Sequence, residues 1–294
     1  HAAGQLALLA AAGVPGAAPE QWYGVAGPSA TGPAHDPEAA PVRVSPSKLH
    51  QIAQCELDWV IGELGGDAGT VAAGLGTLVH AALETGVVDE QALWQVVEDR
   101  WGELEFDAPW RALAERRRAR AMIAQLHGYL RRSAAEGTVL REAEPHFEVP
   151  VPLAAGSAIL SGYIDRVEQT PSGEIVIVDL KTGRYEPTTD AGVVEHPQLA
   201  AYQVAHLAGA LPETAGLPGG GAKLVVLRPG RTAHAEPRQQ PFTPVQVEGF
   251  LDRVRDAATV MAGTSFLAPV EAHCRDEHTH GLCRIHTVGA VSAS

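Results

Sequence analysis

The sequence predicts an α/β fold, a central mixed β-sheet flanked by helices, and three observations carry that prediction. Residues 159–168 and 174–181 are rich in β-branched side chains and flank the turn cluster Thr170-Pro171-Ser172-Gly173, which reads as a β-hairpin. In the second segment Ile175, Ile177, Asp179 and Lys181 share one face, and Val176, Val178 and Leu180 share the other. A strand with two apolar faces belongs inside a sheet covered on both sides. Residues 89–132 place apolar side chains three and four apart (Leu93, Val96, Val97; Met122, Leu126, Tyr129, Leu130), the period of helices packed on such a sheet.

Residues 1–40 are rich in Ala, Gly and Pro, with one aromatic anchor at Gln21-Trp22-Tyr23-Gly24; a short helix over 6–12 and an irregular linker are the simplest reading. The main domain spans 41–294. Ser45-Pro46 reads as an N-cap with proline in the first turn, ahead of a helix with Leu49, Ile52, Ala53 and Trp59 on its apolar side. Gly74-Leu75-Gly76 starts the next helix, its glycines permitting close approach of another backbone, and His80 falls one turn in. A strand over 146–153 precedes the hairpin; its Glu148 reads as an exposed alternating residue, with reach toward a metal as the alternative. After the hairpin a polar loop runs to His196-Pro197, and a helix to about 207 carries Gln198 and Tyr202 on one face. A Pro/Gly loop over 211–221 leads to a strand over 222–227, with 231–238 as its hairpin partner and a final helix over 244–262.

A chain of 294 residues is long enough for one large domain with an extension. It begins at His1, which reads as the C-terminal part of something longer. No apolar run has transmembrane length, and the alanine-rich opening lacks the basic start of a signal peptide. Three cysteines, an odd number, argue against a disulfide framework and for a reducing cytoplasm. The net charge of -13 opposes free-standing binding to nucleic acid and suits a domain fed by a tethered partner. Arg116, Arg117, Arg118, Arg120, Arg131 and Arg132 gather on one helical stretch, either a solvated face or a DNA-tracking surface. Neither G-x-x-x-x-G-K-[ST] nor anything like it occurs, so any ATP-driven motor lies outside this chain.

The chemistry concentrates in the hairpin. Paired symmetrically about Ser172, it sets Asp165 opposite Asp179, roughly 5 Å away. Opposed carboxylates destabilise a sheet unless a cation or proton lies between them. Asp179 and Lys181, two residues apart, point the same way. A divalent cation on two carboxylates with a lysine beside it is a hydrolytic arrangement: the metal activates water, and the lysine orients it or stabilises developing negative charge. Asp-x-Lys alone also occurs at solvated strand ends.

The order Gly76-x-x-x-His80, Gly162-Tyr163-Ile164-Asp165, Asp179-Leu180-Lys181-Thr182-Gly183 and Gln198-x-x-x-Tyr202 resembles the RecB-type nuclease domain of the PD-(D/E)xK superfamily. That resemblance implies a restriction-endonuclease-like core and Mg2+- or Mn2+-dependent hydrolysis of DNA phosphodiesters, with exonuclease action implied. Asp165, Asp179, His80 and the Leu180 carbonyl would hold the metal, His80 being otherwise a satisfied core residue. Lys181 would serve catalysis, and Gln198 and Tyr202, otherwise a surface glutamine and a core-edge tyrosine, would contact the DNA. The segment AAGVPGAAPEQWYG is similar to the close of the motor region in AdnAB-type helicase–nucleases, which also include AddAB and RecBCD. This implies a UvrD-like helicase outside the chain, a heterodimeric partner subunit and work in DNA repair and recombination at double-strand breaks.

Some RecB-family nucleases close with a 4Fe–4S cluster on one early cysteine and three late ones. Cys55, Cys274 and Cys283 match three of those places, and the fourth is Glu277, a hard ligand poor for such a cluster. His278 or His280 as substitute, a zinc site and a metal-free tail are the alternatives. Two rival functions stand beside the nuclease: an inactive nuclease-fold domain that binds DNA or scaffolds a partner, and a metal-dependent hydrolase of small phosphoesters.

Overall fold

The computed structural model describes residues 2–22, 31–64, 71–231, 233–270, 274 and 283. The chain divides into two compact units, His1–Ala34 and His35–Ser294. The first holds α1 (Ala2–Ala11), which buries none of its residues, and a short 3-10 turn pinned by the Trp22 indole N–H donating to the Gly16 carbonyl at 2.8 Å.

The second unit runs β1 (Val42–Val44), α2 (Pro46–Gln54), α3 (Glu56–Glu63), α4 (Val71–Glu84), α5 (Glu90–Asp99), α6 (Pro109–Ala135), β2 (Val139–Ala143), β3 (His146–Pro152) and β4 (Ser157–Tyr163). It continues with β5 (Arg166–Gln169), β6 (Ile175–Lys181), α7 (Asp190–Val193), α8 (Pro197–Leu207), β7 (Gly219–Val226), β8 (Arg238–Gln239) and α9 (Pro244–Met261). Among the described residues the strands form two mixed sheets, β1-β4-β3 and β2-β5-β6-β7-β8, with β1–β4 and β6–β7 parallel. The α/β class with mixed sheets flanked by helices holds.

Strand β6 separates two cores, as its two apolar faces require. Ile175 and Ile177 pack with residues of α2, α8 and α9, and Val176, Val178 and Leu180 pack with residues of α4, α5 and α6. Each such side chain stabilises by about 1.5–3 kcal/mol on burial. That anchorage holds the strand in place although it carries a buried carboxylate, Asp179.

The hairpin has the symmetric register: Arg166 stands opposite Val178 and Gln169 opposite Ile175. The expected strand over 159–168, however, is two strands in two sheets. The chain bends at Ile164–Asp165, where the Ile164 N–H donates to the Pro145 carbonyl and the Glu144 N–H to the Asp165 carbonyl. The β-branched run continues through the bend and hides it. Asp165 thus lies just outside the ladder.

Two other expectations shift. The helix from Ser45 breaks at Cys55, whose backbone is extended (φ -164, ψ 113), so Trp59 belongs to α3 and Ala53 is exposed. Ser45 does cap α2, accepting from the Lys48 N–H at 3.3 Å. Helix α4 begins at Val71, so Gly74 and Gly76 lie inside it; a Cβ on Gly76 would meet Thr182 Oγ1 at 3.0 Å. Both glycines meet side chains, Leu104 at Gly74 and Thr182 at Gly76, from within the helix, and not the backbone expected at its start. Glu148 pairs with Arg43 at 2.7 Å on the smaller sheet. The arginines of α6 serve structure in part: Arg116 pairs with Glu98, Arg132 with Glu236, and Arg120 lies 3.7 Å over the Trp94 ring. Among the described residues no helix is long and apolar enough to cross a membrane.

Candidate active site

Five elements meet at the C-terminal end of β6. The bend between β4 and β5 delivers Asp165, β6 delivers Asp179 and Lys181, α4 delivers His80, and α8 delivers Gln198 and Tyr202. Their side chains form two contact groups, Asp165 with His80 and Asp179 with Lys181, Gln198 and Tyr202, close enough to interact electrostatically.

Asp165 accepts the Leu180 N–H through Oδ2 at 2.6 Å, and its Oδ1 lies 3.1 Å from His80 Nδ1. Lys181 Nζ lies 2.8 Å from Asp179 Oδ2 and donates to Gln198 Oε1 at 2.5 Å. Gln198 in turn donates to the Tyr202 hydroxyl at 2.6 Å, and that hydroxyl donates to Asp179 Oδ1 at 3.2 Å. Glutamine and tyrosine four apart on one helix face therefore relay from the ammonium to the carboxylate it pairs with.

Asp179 is 1 % exposed, and burial raises its pKa to about 6; Lys181 opposes that shift and Asp165 adds to it. Lys181 moves upward too: burial, the largest single cause, favours its neutral form, but Asp179 together with Glu186 and Asp165 outweighs it. The two directions agree once exposure is considered, because Lys181 keeps a partly open side chain and Asp179 does not. At neutral pH the pair is an ammonium beside a carboxylate. His80 shifts up as well, burial being overcome by the hydrogen bond and charge of Asp165. The Tyr202 hydroxyl is pushed well above its usual range by burial and by both carboxylates.

Asp179 Oδ2 is buried, and its partner is the Lys181 ammonium at 2.8 Å. A buried carboxylate whose second oxygen has a single cationic contact, beside a second carboxylate, suits a hard cation. Among the described residues no group of three His, Cys, Asp or Glu is assembled for a metal. Mg2+ does not need one: it binds through one or two carboxylates, keeping waters and substrate phosphates as its other ligands.

The cysteine region offers less. Cys55 and Cys274 are buried and Cys283 is partly so. The tail folds back on Cys55: the Leu57 N–H donates to the Leu267 carbonyl at 3.1 Å and the Cys283 N–H to Asp58 Oδ1 at 2.6 Å. Burial raises the Cys55 thiol, and Cys283 adds to the shift. Glu277, His278 and His280 lie outside the described residues. The described thiols are one donor short of a cluster, so no role is assigned to one here.

Sequence reasoning passes over His50 and Glu186, both near enough to Lys181 to interact electrostatically with it. Their signal was faint, a histidine mid-helix and a glutamate in a polar loop.

The family model described as PD-(D/E)XK nuclease superfamily matches residues 43–284. No curated protein matches the chain. The solved structure titled "Crystal structure of SSO0001" is similar at 14% identity, covering 74% of this chain and 76% of that one, with a TM-score of 0.35. Members of the superfamily are generally phosphodiester-hydrolysing nucleases and typically use Mg2+ or Mn2+. The chain belongs to the PD-(D/E)XK nuclease superfamily.

Proposed function

We propose that this chain is the nuclease domain of a helicase–nuclease, hydrolysing DNA phosphodiester bonds with Mg2+ or Mn2+. What carries the reading is the buried Asp179 carboxylate between a second carboxylate and a lysine. Asp165 and Asp179 would hold the cation, with the Leu180 carbonyl and His80 beside it. A bound divalent cation would supply Lewis-acid polarisation and an activated water. His80 fixes the Asp165 carboxylate through the 3.1 Å contact. Lys181, kept as an ammonium by Asp179, retains its proton at Nζ and stabilises negative charge developing on the phosphate. Tyr202 and Gln198 orient Asp179 and Lys181 and hold the DNA strand against them.

The substrate we assign is a single strand extruded by a UvrD-like motor during double-strand-break processing, cut from its end, in a cytoplasmic heterodimer. The net charge of -13 supports delivery by a partner over unaided capture. An iron–sulfur or zinc site at Cys55, Cys274 and Cys283 belongs to this proposal as a structural element of the tail.

The test is cleavage of end-labelled single-stranded DNA with Mg2+ or Mn2+ by the native chain and by Asp179→Ala. Cleavage by the native chain alone supports the assignment, and the product ladder gives the polarity. If neither cuts while both bind DNA, the choice narrows to an inactive scaffold or a nuclease that needs its motor.

A further inference from the structure

Beside the site, beyond Gly183, lies a cavity of about 340 Å3 whose lining includes Arg118, Arg184, Arg228, Arg231 and one carboxylate, Glu186. Four cations facing one anion are unusual in a chain of net charge -13. Another charged cavity, of about 160 Å3, shows the contrast. Its Lys223 and Arg132 both pair with Glu236. Among the described residues Arg184, Arg228 and Arg231 have no carboxylate in ion-pair range. Arg118 contacts Glu115 at 3.6 Å and donates to the Thr182 carbonyl at 3.2 Å.

The cavity follows the site along the chain and its floor is fixed. The Leu227 N–H donates to the Lys181 carbonyl at 2.8 Å, and Gly183 follows Lys181 by two residues, about 7 Å of extended chain. Gln125, on α6, accepts the Arg228 N–H at 2.8 Å and donates to the carbonyls of Arg228 and Arg231 at 2.9 and 3.0 Å. Gly230, at φ +89, permits the turn between them. The arginine-bearing turn is thereby held by a buried side chain. Like charges clustered with too few counter-ions cost free energy that an anion recovers, and guanidinium forks match phosphate oxygens.

We propose that Arg118, Arg184, Arg228 and Arg231 form a shelf that binds successive phosphates of the single DNA strand on the Gly183 side of the scissile bond. This rests on the nuclease reading for its substrate. It also explains how an acidic domain can grip DNA locally.

The test is binding of a fluorescein-labelled oligothymidylate about 16 nucleotides long, in chelator, followed by anisotropy over a salt series. The native chain is compared with the Arg184→Gln/Arg231→Gln double variant, whose two side chains are exposed, and with Arg255→Gln on α9. The double variant binds several-fold more weakly, and the slope of log affinity against log salt falls by about 0.7 per lost contact. Arg255→Gln keeps the native slope. Equal slopes in the native chain and the double variant, an equal loss in Arg255→Gln, or no binding by the native chain would each overturn the shelf. Cleavage of the same oligonucleotide in Mg2+ is read separately: a native chain that shows the arginine-dependent slope but does not cut keeps the shelf and loses the nuclease.

Discussion

Two buried carboxylates, Asp179 on β6 and Glu168 on β5, are each 1 % exposed, yet they are satisfied very differently. Glu168 accepts from the Tyr129 hydroxyl at 2.8 Å, the Ser133 hydroxyl at 3.3 Å and Arg166 Nε at 2.6 Å, with Lys223 Nζ at 3.7 Å. Asp179 has one hydroxyl donor on Oδ1 and an ion contact on Oδ2. Both oxygens of Glu168 accept hydrogen bonds, whereas Asp179 accepts one on Oδ1 and leaves Oδ2 to the Lys181 ammonium alone. Equal burial with unequal satisfaction separates a structural charge from a charge held ready for something else.

The largest expected effect breaks the comparison on the stability side. Glu168→Ala leaves Arg166 without its carboxylate and Lys223 with Glu236 alone, and is expected to destabilise the fold by about 3–5 kcal/mol in denaturant titration. Asp179→Ala, measured in chelator, is expected to cost far less stability. Its penalty falls on cleavage, a loss of about 100- to 1000-fold in kcat, as for other single preorganised electrostatic partners. If the two variants proved equally destabilised and neither changed cleavage, the distinction would collapse.

Much of this contrast was readable in the sequence, and the unreadable part has a physical reason. The two-faced pattern of 175–181, the hairpin register and the shared face of Gln198 and Tyr202 are local periodicities, and the structure keeps each one. The bend at Asp165 was invisible because the β-branched run does not stop there. Strands β1 and β2 were missed: β1 has three residues, and β2 is a sheet edge containing two charges. The Glu168 network was illegible for another reason. Tyr129 and Glu168 stand 39 residues apart, and only the packing of α6 on the sheet joins them. A long-range contact leaves no period in the chain.

A smaller effect sharpens the Glu168 side. Burial lowers the Lys223 pKa to about 8 from 10.5, against the pull of Glu168. The folded chain therefore binds fewer protons than the unfolded chain between those values, and stability rises as pH increases through that window. Lys223→Met is expected to remove this rise in melting curves recorded across the window. The Asp179 side has a packing counterpart. Gly76→Ala sets a methyl 3.0 Å from Thr182 Oγ1 and is expected to cost about 1 kcal/mol, recovered in Gly76→Ala/Thr182→Ala. A double variant no more stable than the single would show that the glycine is not there for this contact.

The most direct test of the central claim, that Asp179 is buried to hold a cation, is Mn2+ binding followed by electron paramagnetic resonance. The native chain and Glu168→Gln are predicted to bind one Mn2+ with similar affinity, and Asp179→Asn to lose it. Native binding retained in Asp179→Asn, or no Mn2+ binding by the native chain, would contradict the account.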